Sequence, residues 1–175
     1  TVLVTGGKGL MGNAFRSLQD TTKNIFIFVG REEADLVSQV EVRDLFGEIK
    51  PDYVIHAAAR VGGIGKNLSS PAQQFYDNIM MNTNVIEQAY RSKVRKLIAF
   101  SSACAFPGDL LVQSEDKLHK GEPYPAHKSY AYAKRMVDIQ IEAYNQQYKT
   151  NYSTVIPGNI FGEHDNFSLK DGHVI

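Results

Sequence analysis

A doubly wound parallel sheet of the α/β class is predicted by three observations. Short β-branched runs alternate with longer amphipathic stretches along the chain. The runs are nearly continuous in apolar residues rather than alternating, as strands buried on both faces require. A glycine-rich turn, "TGGKGLMG", joins the first run to the first amphipathic stretch.

The elements follow in order. "TVLVT" (1–5) reads as a strand, and residues 10–19 as the helix after the glycine turn. "IFIFV" (25–29) is the second strand, closed by Gly30. Residues 38–49 form a helix that Pro51 ends, and "YVIHA" (53–57) is the third strand. A long helix over 71–92 leads to "KLIAFS" (96–101). The stretch 103–128, with "PGD" at 107–109, is too long for a plain connection, and such loops usually carry function. A helix over 129–148 and the strand "YSTVI" (152–156) follow, and "PGN" (157–159) ends that strand. Right-handed crossovers would join the strands.

Composition narrows the function classes. A chain of 175 residues, 43% hydrophobic and 22% charged, is globular rather than disordered. Nineteen basic residues balance nineteen acidic ones, so no nucleic-acid or anionic-membrane partner is expected. No apolar run approaches the roughly 18 residues that span a bilayer. The opening on a strand predicts no targeting leader. Cys104 is the lone cysteine, which fits a reducing compartment and a cytoplasmic location. The apolar ending of "FSLKDGHVI" suggests a fragment, so residues 1–175 are expected to be the N-terminal domain of a longer chain.

Gly6, Gly9 and Gly12 form G-x-x-G-x-x-G between strand and helix. Gly6 suits the tight turn, Gly9 lets backbone approach a pyrophosphate, and Gly12 lets helix and strand pack closely. Free N–H groups at the helix start would face the anion. This is the Rossmann-type dinucleotide signature. The second strand ends in Gly30-Arg31, where an NAD site would carry an acid for the ribose 2′-OH. A guanidinium suits a 2′-phosphate, and Lys8 adds a second cation, so NADP is expected. The alternative is that Arg31 is a solvated surface residue. Glu32 and Glu33 follow and should start a turn. Asp35 and Leu36 fall where the chain would cross under the adenine. Ala57, Ala58 and Ala59 would let backbone approach the ribose, or serve only tight packing.

"SYAYAKRM" (129–136) places Tyr130 four residues before Lys134, on one helical face. Tyr132 lies about 200° round from Lys134 and belongs to core or interface. An ammonium beside a phenol favours the phenolate, which would make Tyr130 an acid–base group near neutral pH. The alternative is a chance pair on a solvated face. The fourth strand ends in "SSACAFP", which supplies Ser101, Ser102 and Cys104 at a carboxyl end where open α/β sheets bind ligands.

Together, "TGGKGLMG", "SSAC" and "YAYAK" resemble the extended short-chain dehydrogenase/reductase family. "AARVGGI" (58–64), "CAFP" (104–107), "YAYAKRM" (130–136) and "GEHDNFSLKDGHVI" (162–175) are similar to its GDP-L-fucose synthase branch, and the resemblance runs through the whole chain. It implies 3,5-epimerisation and 4-keto reduction of GDP-4-keto-6-deoxy-mannose with NADPH. It implies Tyr130 as proton donor, Ser102 as hydrogen-bond partner of the reacting oxygen, and Lys134 on the phenol and the nicotinamide ribose. Cys104 and His173 would share the epimerising proton transfers, whereas His164 reads as structural. The cofactor set it implies is Gly6, Gly7, Lys8, Gly9, Leu10, Met11 and Gly12 in the loop, Arg31, Asp35, Leu36 and Ala58 along the next strands, and Lys134, Pro157, Asn159, Ile160 and His173 beyond. No metal is expected. Further residues forming a C-terminal sugar-nucleotide domain are implied, as is a homodimer through helices 71–92 and 129–148. Their apolar stripes include Ile79, Val85 and Ile86, then Met136, Ile139 and Ile141, and these could instead face only the sheet.

This sequence departs from the pattern at Ala103, where the family tends to carry a hydroxyl, and at Gly158, where a threonine is common. Two rivals stand beside this reading. One is a 4-epimerase or 4,6-dehydratase holding NAD, and Arg31 and Cys104 argue against it. The other is a non-catalytic NADP-sensing module, which would typically lose the tyrosine or the lysine.

Overall fold

Val2, Leu3 and Val4 crowd β-branched and apolar side chains onto four consecutive residues that are all buried, and only a strand covered on both faces accommodates that pattern. This is β1 (Val2–Thr5), flanked by β2 (Phe26–Val29) and β3 (Tyr53–His56); β4 (Lys96–Phe100) and β5 (Tyr152–Val155) complete the sheet. The order is β2-β1-β3-β4-β5 and every pairing is parallel. The computed structural model describes residues 1–165 and 167.

The predicted helices appear as α1 (Leu10–Leu18), α2 (Gln39–Ile49), α4 (Pro71–Arg91) and α5 (Lys128–Tyr148). A short helix, α3 (Ile64–Ser69), was not expected. Its six residues carry only two apolar positions, Ile64 and Leu68, and no clear period, so no pattern announced it. Local chemistry sets the ends of the others. Ser38 caps α2 by accepting from the Glu41 N–H at 3.3 Å, and Pro71 opens α4 where a missing N–H costs nothing. Lys50 and Lys149 take left-handed conformations just past α2 and α5.

Register explains the core. Leu3, Val54, Leu97 and Tyr152 stand opposite one another across four strands, and all are buried. Onto this face pack Val42 and Phe46 of α2, Val85, Ile86 and Ala89 of α4, and Val137 and Ile141 of α5. Right-handed crossovers place α1 on the other face, where Phe15 meets Phe100 of β4 edge-on at 6.2 Å. The chain runs from β1 outward to β2, then returns past β1 to β3. The crevice above the carboxyl ends of β1 and β3 is therefore the switch point where such sheets hold ligands.

The long stretch 103–128 is folded on itself. It carries three 3₁₀ turns and a small core of Ala105, Phe106 and Leu118, packed by Leu110 and Ile156. Arg135 of α5 donates from Nε to the Ala105 carbonyl at 2.5 Å and ties the loop to the helix.

The apolar stripes divide. Val85, Ile86 and Ile141 are buried in the core, whereas Met136 and Ile139 of α5 are exposed, as are Phe75 and Tyr76 of α4. No helix among the described residues is long and apolar enough to cross a membrane.

Candidate active site

The glycine turn sits at the switch point. Gly6 has φ of +72°, and a Cβ there would lie 2.8 Å from the Ala58 Cα. The turn and Ala58 are thus in backbone contact, and the small residues after β3 permit it. A Cβ on Gly12 would fall 2.4 Å from the Gly6 carbonyl oxygen, so the folded loop itself excludes one. Gly9 differs: a Cβ would meet nothing closer than the Gly6 oxygen at 3.4 Å. Internal packing does not require glycine at position 9, whereas a close anionic ligand would. Among the described residues no side chain caps α1, so its leading N–H groups, beginning at Leu10 and Met11, face outward from Gly9. These features fit the pyrophosphate of a dinucleotide.

The adenosine end is less simple than the sequence suggests. Arg31 lies at the end of β2 but is 81% exposed, with Asp35 3.6 Å away. Lys8 is held by Glu32 at 2.5 Å and Glu33 at 2.8 Å. Glu33 also accepts the Gly30 N–H at 2.7 Å. Glu32 and Glu33 do lie in a turn, yet the Glu33 carboxylate folds back onto the tip of β2. Its bond to Lys8, then the Gly30 N–H, hold it below the usual carboxylate range. Asp35 turns toward α2, accepting the Val37 N–H, and Leu36 is buried in the core with its carbonyl bound by Asn84. The Leu36 side chain is therefore core, and a cofactor contact there would fall to its backbone.

Tyr130 and Lys134 share a face of α5, and the Lys134 ammonium is 5.9 Å from the phenol ring centre. Tyr132 points elsewhere, toward Arg135 and Lys128, as the spacing predicts. The expected electrostatics are not observed. Burial raises the Tyr130 pKa, the nearby Cys104 raises it further, and the Ser102 side chain pulls the other way. Lys134 is itself 2% exposed, and burial lowers its pKa to about 8. Its ammonium donates to the Phe100 carbonyl at 2.7 Å instead of reaching the phenol. The predicted lowering of the phenol pKa by lysine is corrected: desolvation wins because the ammonium is anchored on β4.

Ser101 and Ser102 divide their tasks. Ser101 is buried and donates to the Lys134 carbonyl at 3.1 Å, so it is structural. Ser102 caps the turn Ala103–Ala105 by accepting the Cys104 N–H at 3.2 Å, and faces Tyr130. That turn presents Cys104, a free thiol. The Ala103 N–H donates to the Pro157 carbonyl at 3.1 Å, which brings the segment after β5 to the same place. Cys104 and Asn159 line one cavity with Pro107, Gly108, Tyr124 and His127. Farther along, Gly162 approaches Leu10 of α1. The segment holding Pro157, Asn159 and Ile160 thus runs from the thiol back to the glycine loop. His173 lies outside the described residues, and His164 is exposed. A larger recess lined by Leu118, Ile141, Asn145 and Thr154 follows the outer side of β5 and includes none of these groups.

Two features escaped the sequence reading. His56, at the end of β3, is fully enclosed between the Thr5 hydroxyl at 2.7 Å and the Asn82 amide oxygen at 3.0 Å. Burial, then the Lys134 charge, lowers its pKa to about 4, so it is a neutral brace beneath the switch point. His127, before the tyrosine helix, carried no motif to mark it. Among the described residues, no cluster of His, Cys, Asp and Glu suited to a metal ion occurs.

Known proteins resemble this chain in sequence and fold. The chain is 41% identical to the GDP-L-fucose synthase of Dictyostelium discoideum over its whole length, covering 56% of that protein. Against the GDP-L-fucose synthase of Escherichia coli the identity is 36%, covering 99% of this chain and 55% of the relative. The chain thus spans about half the length of the curated relatives it matches. The structure of a GDP-L-fucose synthetase from Naegleria fowleri bound to NADP superposes with a TM-score of 0.92 at 38% identity, over 99% of this chain and 58% of that one. The NAD dependent epimerase/dehydratase family matches residues 2–175, and the chain belongs to it.

Proposed function

We propose that this chain is the cofactor-binding part, residues 1–175, of an NADPH-dependent epimerase-reductase that converts GDP-4-keto-6-deoxy-mannose to GDP-L-fucose. The relatives of that name support the substrate, and the Naegleria structure supports NADP. One observation carries the reading: the turn after β4 that presents Ser102 and Cys104 is tied to the Tyr130–Lys134 stretch of α5 through Ser101 and the Phe100 carbonyl. An acid for reduction and a base for epimerisation therefore stand next to one another, with the Cys104 cavity alongside.

The chemistry assigns a role to each. C3 and C5 of the sugar lie α to the C4 ketone, so both hydrogens are acidified. Cys104 removes and returns protons there, and His173 serves as the second acid–base group. Bound NADPH supplies the hydride to C4. Ser102 hydrogen-bonds O4, and Tyr130, kept protonated by its raised pKa, donates to that oxygen. Lys134 and the glycine loop hold the cofactor, with Lys8 and Arg31 nearest its 2′-phosphate. The exposed Phe75, Tyr76, Met136 and Ile139 on α4 and α5 support a homodimer through those helices. The single cysteine supports a cytoplasmic location.

The test is the product formed by the full-length protein from GDP-4-keto-6-deoxy-mannose and NADPH. Tyr130→Phe should abolish NADPH oxidation yet still exchange solvent deuterium into C3 and C5. Cys104→Ala should lose that exchange. Wild-type exchange rates in Cys104→Ala would remove the thiol from its role. Co-purification of tightly held NAD, with no net reduction, would favour a 4-epimerase or dehydratase.

A further inference from the structure

We infer that His127 is a substrate-contacting residue, its imidazole hydrogen-bonding a hydroxyl of the sugar that occupies the Cys104 cavity. This assignment rests on the epimerase-reductase reading.

The argument begins with placement. His127 closes the 3₁₀ turn Pro125–His127 and immediately precedes α5, three residues before Tyr130. It lines the same cavity as Cys104 and Asn159. The position is braced on several sides. Its backbone N–H donates to the Tyr124 carbonyl at 3.2 Å, and its ring tilts against the Tyr124 ring, 5.6 Å between centres. Helix α3 packs against the same turn. Tyr124 is fixed in turn, since Gly108 fits beneath its backbone and donates its N–H to the Glu122 carbonyl at 2.9 Å. Pro107 and Pro123 bridge the two strands of this loop.

What the bracing leaves unsatisfied is the imidazole itself. It is half-buried, yet among the described residues it has the Tyr124 ring as a neighbour and no hydrogen-bond partner. A neutral imidazole that lines the cavity, with no protein partner for its nitrogens, offers one donor and one acceptor to a group that enters. Burial also keeps the ring below its ordinary pKa, so it is neutral and offers both functions to a hydroxyl rather than a charge to a phosphate. A hexose ring, with hydroxyls on each side of the reacting carbons, matches that pair, and the Cys104 thiol in the same cavity places the reacting carbons there.

Three variants of the full-length protein test this. His127→Phe keeps the packing on Tyr124 and removes both hydrogen-bonding functions, whereas His127→Gln restores a donor and an acceptor. We expect His127→Phe to raise KM for GDP-4-keto-6-deoxy-mannose by about tenfold, the loss expected for one unpaired polar contact, with smaller change in kcat. Calorimetric affinity for GDP-mannose should fall in parallel, while NADPH affinity and the melting temperature stay at wild-type values. His127→Gln should recover most of the KM. An unchanged KM and GDP-mannose affinity in His127→Phe would overturn the assignment. So would a loss accompanied by weakened NADPH binding that His127→Gln does not repair, since that marks a structural role. A third variant, Tyr124→Leu, frees the ring without deleting it and should raise KM less than His127→Phe; the reverse order would also count against the contact. Absence of turnover in the wild type is a separate outcome that removes the underlying reading.

Discussion

His56 gives the sharpest test of how the fold supports the site. Its ring joins the ends of β1 and β3 to α4, through Thr5 and Asn82. Asn82 offers its amide oxygen, so Nε2 carries the proton and Nδ1 accepts from the Thr5 hydroxyl. Folding moves the pKa from 6.5 down to about 4. The group is depressed on folding, so its contribution is present in full above the unfolded value. It is lost as pH falls from 6.5 toward 4, because only the unfolded chain takes up the proton in that window. At 1.36 kcal/mol per pH unit the total is about 3 kcal/mol. The perturbation is His56→Gln, which keeps a donor toward Asn82 and does not titrate. Urea unfolding of both full-length proteins at several values between pH 7.5 and 4.5 is the assay. Carboxylates contribute equally to both, so the difference isolates the imidazole. The wild type should lose roughly 1.3 kcal/mol more per pH unit than the variant below pH 6.5. Parallel curves would refute the buried neutral imidazole and the brace built on it.

Two further contrasts probe the cofactor loop. Gly12→Val forces a Cβ to within 2.4 Å of a backbone oxygen and should destabilise the fold by several kcal/mol, read as a lower melting temperature. Gly9→Ala has room in the free protein and should leave the melting temperature within about 2 °C while weakening NADPH binding about tenfold or more; equal effects of the two would deny that position 9 serves the ligand. Glu33→Gln weakens the hold on Lys8 and should raise the preference for NADPH over NADH several-fold at low salt, with the gain shrinking as salt is added. A salt-independent or absent change in the dissociation-constant ratio would show that Lys8 does not meet the 2′-phosphate.

Periodicity and glycine spacing carried most of the fold. All five strands fall within a residue or two of their predicted limits because each is a dense apolar run ended by a small or polar residue. The Tyr130–Lys134 face was legible for the same reason, since a four-residue interval on a helix is nearly rigid geometry. Interactions between distant parts of the chain were not legible. α3 exists because it packs on a turn sixty residues later, and no local pattern encodes that. His56 looked like an ordinary strand residue, because its partners come from positions 5 and 82. Glu33 was read as a turn residue, and it is one. That its carboxylate returns to Gly30 and Lys8 depends on the path of the loop, which the sequence does not show.

The misread phenol sharpens the chemistry. Spacing alone implied a lysine-stabilised phenolate, the form suited to taking a proton from an alcohol. The folded site instead buries the ring, adds Cys104 beside it, and commits the Lys134 ammonium to the Phe100 carbonyl. Such a phenol stays protonated at neutral pH. In the reductive direction that is the useful form. In the proposed reduction the C4 oxygen would become a far stronger base than a phenolate, so even a reluctant phenol would give up its proton downhill. Oxidation would need the phenolate that burial disfavours. In the proposed reaction the same desolvation keeps Tyr130 in its proton-donating form, and it arises from the packing of β4 and α5 around the ring. Any change that releases Lys134 from the Phe100 carbonyl toward the ring should favour the phenolate and lower the Tyr130 pKa.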